Sequence, residues 1–254
     1  MYLPGAKVKI LSELLVTLAE PHGEAEIRAR IGEQLLDLLD ADHYASYVWN
    51  EAGSVFEGRV ALNMCPKNLG TYEAYFQYHD PITAKLQARR GPTLVAQVMP
   101  QPELVQTEFF NDFLYRDGLY WGVNLYAWDG DRNIGDMRIW RGRRRENFDA
   151  DTLGILELIG PAFTAALRRA QAVPDPLAAP GAQQSGPGSL RSLLSEREFE
   201  VVQLAAVGWS DKVIARRLGI GFTTVRTHLA HAFRKLDVEN RVQLAGRFAG
   251  GGPS

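Results

Sequence analysis

The stretch Phe222–Leu236, FTTVRTHLAHAFRKL, decides how the chain is read. Val225, Leu229, Ala232 and Leu236 fall at i, i+4, i+7 and i+11 and so share one face of a helix. Thr223, Arg226, Thr227, Ala230 and Arg234 project elsewhere, giving a buried stripe beneath a donor-rich outer surface. Two further helices precede it. Ser195-Glu196-Arg197-Glu198 is a capping box, in which Ser195 accepts from the N3 amide while Glu198 reaches back. That helix runs through Val201, Val202, Leu204 and Ala205 to Gly208. The next is expected to be capped by Ser210, to carry Val213, Ile214, Ala215 and Leu218 inward, and to stop at Gly219 in the left-handed conformation. Gly219 to Phe222 then turn the chain into the third helix. Helix, tight Gly-containing turn, helix is the helix-turn-helix pattern, whose second element lies in the major groove of DNA.

Charge supports a nucleic-acid partner for this part of the chain. The 254 residues carry a formal net charge of −2, which by itself suggests none. Between Leu190 and Gly250, however, ten Lys and Arg face six Asp and Glu, a surplus of four, so the remainder carries −6. A basic module on an acidic body suits a DNA reader whose other half does something else. The length predicts two domains. Cys65, the single cysteine, excludes an intramolecular disulfide and fits a reducing compartment. With no apolar run near about 18 residues and no signal-peptide pattern, a cytoplasmic protein without a membrane partner is expected.

From Leu194 to Ala245 the sequence resembles the LuxR/FixJ class of bacterial DNA-binding domain, a four-helix module. The resemblance rests on Leu194, Glu196, Arg197, Glu200, Val201, Gly208, Ser210, Ile214, Ala215, Leu218, Ile220, Thr224, Val225, His228, Lys235, Leu236, Arg241 and Ala245. It implies DNA contacts from Thr223, Thr224, Arg226 and Thr227, with Arg234, Lys235, Lys212 and Arg217 on phosphates. Arg226 can donate two parallel bonds to guanine, worth about 1–3 kcal/mol of discrimination. The sequence departs from the class at Gly221, where a capping Ser is usual, and at Ala230, where relatives often have a longer polar residue. The fourth helix, Arg241 to Phe248, resembles the one that dimerises in this class. It implies a homodimer on an inverted-repeat operator in double-stranded DNA, with RNA polymerase as a further partner.

The amino-terminal part alternates helical and strand patterns. Lys7–Glu20 and Ile27–Leu39 have helical spacing, broken at Pro21-His22-Gly23. His43–Trp49, Ser54–Leu62, Thr93–Val98, Leu119–Trp128 and Ile134–Arg141 read as strands. Asn63–Gly70 reads as irregular and Thr71–Arg89 as helical, interrupted at Asp80-Pro81. Glu103–Tyr115 reads as a helix, and Phe148–Ala170 as one bent near Gly160-Pro161. The fold class is therefore α+β: a five-stranded antiparallel sheet flanked by helices, followed by the all-α helix-turn-helix domain. The expected bounds are 1–171 for the first domain, 172–189 for a Pro/Gly/Ala/Ser-rich linker and 190–250 for the second.

The first domain also resembles the sensor half of LuxR-type regulators, an α/β/α fold similar to GAF and PAS domains. The resemblance lies in Ala74-Tyr75-Phe76, Asp80-Pro81-Ile82 and Gly118. It implies that Tyr75 and Asp80 face a small-molecule effector, and Tyr47, Trp49, Tyr72, Phe110 and Trp121 are candidate lining residues. Acyl-homoserine-lactone receptors have tryptophans where this chain has Thr71 and Val95, and more residues between the Tyr and the Asp than the four found here. These departures argue against a lactone and leave a small-molecule pocket open. The alternative is a protein-interaction or dimerisation module without a ligand. Asp80 reads equally as a helix cap, and Arg143-Arg144-Arg145 as a solvated turn. No cofactor is implied. A phosphate-accepting receiver, a phosphate loop ending in Lys-Ser/Thr and a zinc motif all lack their parts, and Cys65 with His43 or His79 is a weak case for an enzyme.

Overall fold

The computed structural model describes residues 3–51, 53–172, 193–206, 208–238 and 240–248. The chain divides into two units: Met1–Trp49, Phe56–Asn68 and Asp80–Leu177 form the first, and Asn50–Val55, Leu69–His79 and Ala178–Ser254 the second. The linker expected at 172–189 lies, from 173 on, outside the described residues.

The first unit is built on a five-stranded sheet. Helices α1 (Gly5–Ala19) and α2 (Glu24–Leu38) lead into strands β1 (His43–Asn50) and β2 (Val55–Leu62). Next come α3 (Pro66–Ala74), whose residues from Leu69 on belong to the second unit, then α4 (Thr83–Gln87), β3 (Thr93–Leu94), α5 (Gln101–Leu104) and α6 (Glu108–Asp112). Strands β4 (Trp121–Asp129) and β5 (Arg132–Arg141) and the long helix α7 (Ala150–Ala172) close it. The strand order is β2-β1-β5-β4-β3. β1 with β5, β5 with β4 and β4 with β3 pair antiparallel, with Tyr44 opposite Ile139 and Val123 opposite Ile139 on the other side.

Alternation along the strands sorts the two faces of the sheet. Tyr44, Val123, Leu125, Ala127, Met137 and Ile139 join the apolar stripes of α1, α2 and α7 in one core, which includes Leu14, Ile31, Leu35, Ile159 and Phe163. Gly32 lets α2 come close, since a Cβ there would sit 2.6 Å from the Tyr44 ring. Gly122, Asn124, Tyr126, Asp136, Arg138 and Trp140 point to the opposite face, where Val95 covers Gly122. By length and composition α7 could cross a membrane, contrary to the expectation of no such apolar run, but its Ile155, Leu156, Ile159, Phe163, Ala166 and Leu167 are buried in this core.

Three expectations are corrected. β3 stops after two residues because the Gln97 side chain accepts from the Leu94 amide at 2.8 Å and Val98 bonds back to Val95, winding a 3₁₀ turn instead of a strand. The helix expected over Glu103–Tyr115 is split, because Thr107 Oγ1 accepts from Phe110 N and donates to Leu104 O, ending one helix and capping the next. Asn63–Gly70 is not wholly irregular, since α3 starts at Pro66, a residue suited to a first turn. The Gly160-Pro161 pair, where a bend is expected, lies inside α7, which continues as one helix through Pro161.

The second unit contains α8 (Glu196–Ala206), α9 (Asp211–Leu218), α10 (Phe222–Leu236) and α11 (Arg241–Phe248). α10 packs on α8 and α9, and α11 on α8. The capping box forms in full, with Ser195 N donating to Glu198 Oε2 at 2.8 Å and Glu198 N to Ser195 Oγ at 3.3 Å. Gly219 ends α9 at φ +63°. Two details differ from the sequence reading. Ser210 caps α9 with its backbone carbonyl only, and Val213 is exposed because Ile214 and Ala215 take the inner positions.

Candidate functional site

Helix α10 buries Val225, Leu229, Ala232 and Leu236 and exposes Thr223, Thr224, Arg226, Thr227, Ala230 and Arg234. Its N-cap is Gly221, without a side-chain bond, so the first amides of the helix are left to solvent or to an anion. Thr227 Oγ1 donates to Thr223 O at 3.0 Å, which spends its hydroxyl hydrogen inside the helix. Arg226, in the first turns of the helix, and Arg234, near its end, are the multidentate donors of the exposed face. Lys212 on α9 is exposed, and the guanidinium of the half-buried Arg217 lies 5.5 Å from the Trp209 ring.

Lys235 is held differently. Its Nζ donates to Glu198 Oε2 at 2.6 Å, joining the end of α10 to the start of α8, and His231 Nδ1 lies 3.8 Å from Glu198 Oε1. Burial pushes the Glu198 carboxyl up, but the bonds from Lys235 and from the Ser195 amide and hydroxyl outweigh it and hold the group at about 2. Arg241, at the start of α11, bonds to Trp209 O and to Asp211, tying α11 to the entry of α9. This anchor was not singled out as functional in the sequence. The side chains of Val242 and Ala245, on the expected dimer helix, lie outside the described residues.

Of the candidate ligand residues, Tyr47, Trp49, Asp80, Phe110 and Trp121 belong to the first unit and Tyr72 and Tyr75 to the second. Asp80 folds back on the entry to α4: Oδ1 accepts from the amides of Ile82 and Thr83 at 2.8 and 2.9 Å, and Oδ2 from the Thr83 hydroxyl at 2.5 Å. Burial raises its pKa against those bonds. Tyr47 and Trp49 both pack on Phe56, at 6.3 and 4.8 Å between rings. Beside them is a buried ion pair, in which Arg138 Nε donates to Asp136 Oδ2 at 2.8 Å while Tyr47 N donates to Oδ1 at 2.7 Å. Burial raises the Asp136 pKa, and Arg138 opposes it. In the second unit, Tyr72 is buried and Tyr75 stacks on His79 at 4.2 Å. His43 Nδ1 lies 2.7 Å from Asn63 O, and Cys65 is exposed.

Phe110 has another setting. It lines a groove of about 670 Å³ together with Tyr115, Leu119, Tyr120 and the turn Gly142–Arg145. Trp121 borders it through its Nε1, which donates to Arg145 O at 2.9 Å. Arg143, Arg144 and Arg145 lie exposed on a turn, as the sequence suggests, and the turn edges this groove. The signal available was their closeness in the chain to the aromatic segment 109–128.

Comparison with known proteins identifies the second unit's helices. Residues 192–248 match the family of bacterial regulatory proteins of the luxR type. These residues form a LuxR-family regulatory domain. Across the LuxR-type domain the chain is 43% identical over 58 residues to the monoamine regulon transcriptional regulator of Klebsiella aerogenes, covering 23% of this chain and 26% of that one. It is 40% identical over 52 residues to the nitrate/nitrite response regulator NarL of Escherichia coli, covering 20% and 24%. The matches thus span about a quarter of these relatives. Among solved structures, SdiA of Escherichia coli in complex with octanoyl-rac-glycerol aligns over 99% of this chain and 98% of its own, at 20% identity and a TM-score of 0.50. The N-acylhomoserine-lactone-dependent LuxR-family factor CepR2 of Burkholderia cenocepacia aligns over 67% of this chain and all of its own, at 17% identity and 0.51. At these identities the likeness is one of fold alone.

Proposed function

We propose that the chain is a cytoplasmic, sequence-specific transcription regulator, with domains at 1–171 and 190–250 joined by a linker at 172–189. It binds double-stranded DNA as a homodimer through α10 and responds to a small molecule held by its first domain. The observation that carries the reading is the exposed face of α10, with Arg226 among Thr223, Thr224 and Thr227, set on a LuxR-type domain. Arg226 reads a base edge, while Arg234, Lys212 and Arg217 contact phosphates that set register without specifying sequence. Lys235 is half exposed and carries three N–H donors, so its bond to Glu198 leaves others to reach phosphate. RNA polymerase is the partner through which bound DNA is regulated. SdiA and CepR2, whose fold the chain shares, are described with an acylglycerol and as lactone-dependent, and that supports an effector here.

The test is operator selection from random duplexes, followed by titration of Arg226→Ala at fixed salt. The variant is expected to keep its fold and lose about 1–3 kcal/mol of preference at one base pair. Unchanged preference would remove Arg226 from the reading. Failure to select any sequence would remove the function.

A further inference from the structure

The groove beside the arginine turn is a built site rather than a gap between solvated side chains. Its floor is a run of rings in contact, Tyr115 and Phe110 at 6.2 Å and Phe110 and Tyr120 at 5.8 Å between centroids, and Trp121 packs behind Tyr120 at 4.8 Å. Phe110 is buried, whereas Tyr115 leaves 65% of its surface exposed, a large apolar face with an open side. The arginine turn above this floor is pinned from two directions. The Asp42 carboxylate accepts from Gly142 N at 2.8 Å and from Arg145 Nε at 2.8 and 2.9 Å. Trp121 Nε1 holds the carbonyl of Arg145, and Tyr120 N donates to Arg141 O at 3.0 Å. The turn cannot drift away from the aromatic floor without breaking these bonds.

Charge then selects the occupant. Arg145 neutralises Asp42, which leaves Arg143 and Arg144 as the uncompensated charges among the lining residues. Arg143 leans over the Tyr120 ring, with its guanidinium carbon 5.7 Å from the centroid. A site with an apolar aromatic floor and a fixed cationic rim favours a flat apolar body ending in an anion, because the guanidinium fork matches a carboxylate. The volume falls within the range of small-molecule sites.

We propose that this groove binds an aromatic carboxylate, its ring against Phe110, Tyr115 and Tyr120 and its carboxylate on Arg143 and Arg144. The site uses none of Tyr47, Trp49, Asp80 or the Asp136–Arg138 pair. It rests on the reading of the first domain as a sensor and moves the effector to the end of the sheet where β5 leaves it. The carboxylate matters more than the ring identity, so the neutral amide of the same ring is the discriminating control.

Isothermal titration calorimetry on the full chain, without DNA, tests it with 2-naphthoate and 2-naphthamide. Saturable one-to-one binding of the carboxylate is expected, weakened on the order of tenfold or more in the amide and in the Arg143→Gln/Arg144→Gln double variant. Tyr115→Ala, at an exposed position, is expected to weaken it as well, with circular dichroism confirming that both variants stay folded. No saturable heat up to about 2 mM naphthoate overturns the proposal, as do equal affinities for acid and amide or for wild type and variants. Binding of an acidic aromatic peptide with the same dependence on Arg143 and Arg144, and no binding of naphthoate, overturns it in favour of a protein-docking surface. Because no DNA is present, failure here leaves the DNA-binding reading intact, and failed operator selection leaves this one intact.

Discussion

Glu198 shows how one carboxylate can hold a small helical module together. It completes the capping box of α8 through Ser195 and receives Lys235 from the far end of α10, so a single buried side chain closes the angle between two helices. Its carboxyl sits at about 2 instead of the ordinary 4.5. A group whose folded-state pKa is depressed contributes stability that is complete above its unfolded value and fades as pH falls toward the folded one. The module is therefore expected to lose stability between about pH 5 and pH 2. Because Lys235 is 46% exposed and partly screened, the contribution is roughly 1–2 kcal/mol. Glu198→Gln should cost about that much at neutral pH and flatten the acid limb, both readable from urea midpoints across a pH series. An unchanged acid limb would show that the Lys235 bond does not persist in solution. The Asp136–Arg138 pair is a contrasting residue-scale case, since both partners are buried and much of their attraction offsets desolvation.

At the scale of elements, the helix-turn-helix depends on backbone as much as on side chains. Gly219 ends α9 at φ +63°, and no heavy atom lies within 4 Å of a Cβ placed there, so the cost of a side chain is conformational alone. Gly219→Ala is expected to destabilise the module by about 1 kcal/mol. For a domain of this size that lowers the midpoint by about 4–8 °C in a thermal melt. A larger loss would mean that the turn itself had rearranged. These elements were legible in the sequence because their signals are local: the Ser195–Glu198 box and the glycine after Leu218 each occupy about one turn, and the four-residue stripe of α10 stays within a single helix. Misreadings came where a neighbour decides. Val213 and Ile214 are about 100° apart on the helix, so only one takes the centre of the inner face, and α8 and α10 select Ile214. Gln97 and Thr107 diverted the backbone through single side-chain bonds that periodicity does not register. The candidate site was harder still. Tyr47, Trp49, Phe110 and Trp121 look alike in sequence, yet Tyr47 and Trp49 pack beside a buried ion pair while Phe110 lines the groove and Trp121 borders it. The arginine turn acquires its fixed position from Asp42, 103 residues away from Arg145, a distance no local pattern spans.

For the whole molecule the decisive quantities are charge and valency. The LuxR-type module carries the positive surplus while the rest of the chain carries −6, so phosphate attraction comes from one part of a chain that is acidic overall. Non-specific binding should therefore fall steeply with salt, with a slope set by the few exposed cations of α9 and α10 rather than by net charge. A single recognition helix reads too little sequence to define a genomic site, and two-fold symmetry doubles the readout at no cost in new chemistry. The full chain is expected to bind an inverted repeat as a dimer, in light scattering of the complex and in gel-shift titration. Scrambling one half-site should weaken binding by on the order of a hundredfold or more, because the second contact is made at high effective concentration once the first has formed. Inserting half a helical turn, about five base pairs, between the half-sites should do the same by rotating one half-site to the opposite side of the duplex. A monomer binding intact and scrambled sites with equal affinity would exclude the dimeric reading. It would leave Arg226 as the reader of a single short site, with specificity supplied by something other than symmetry.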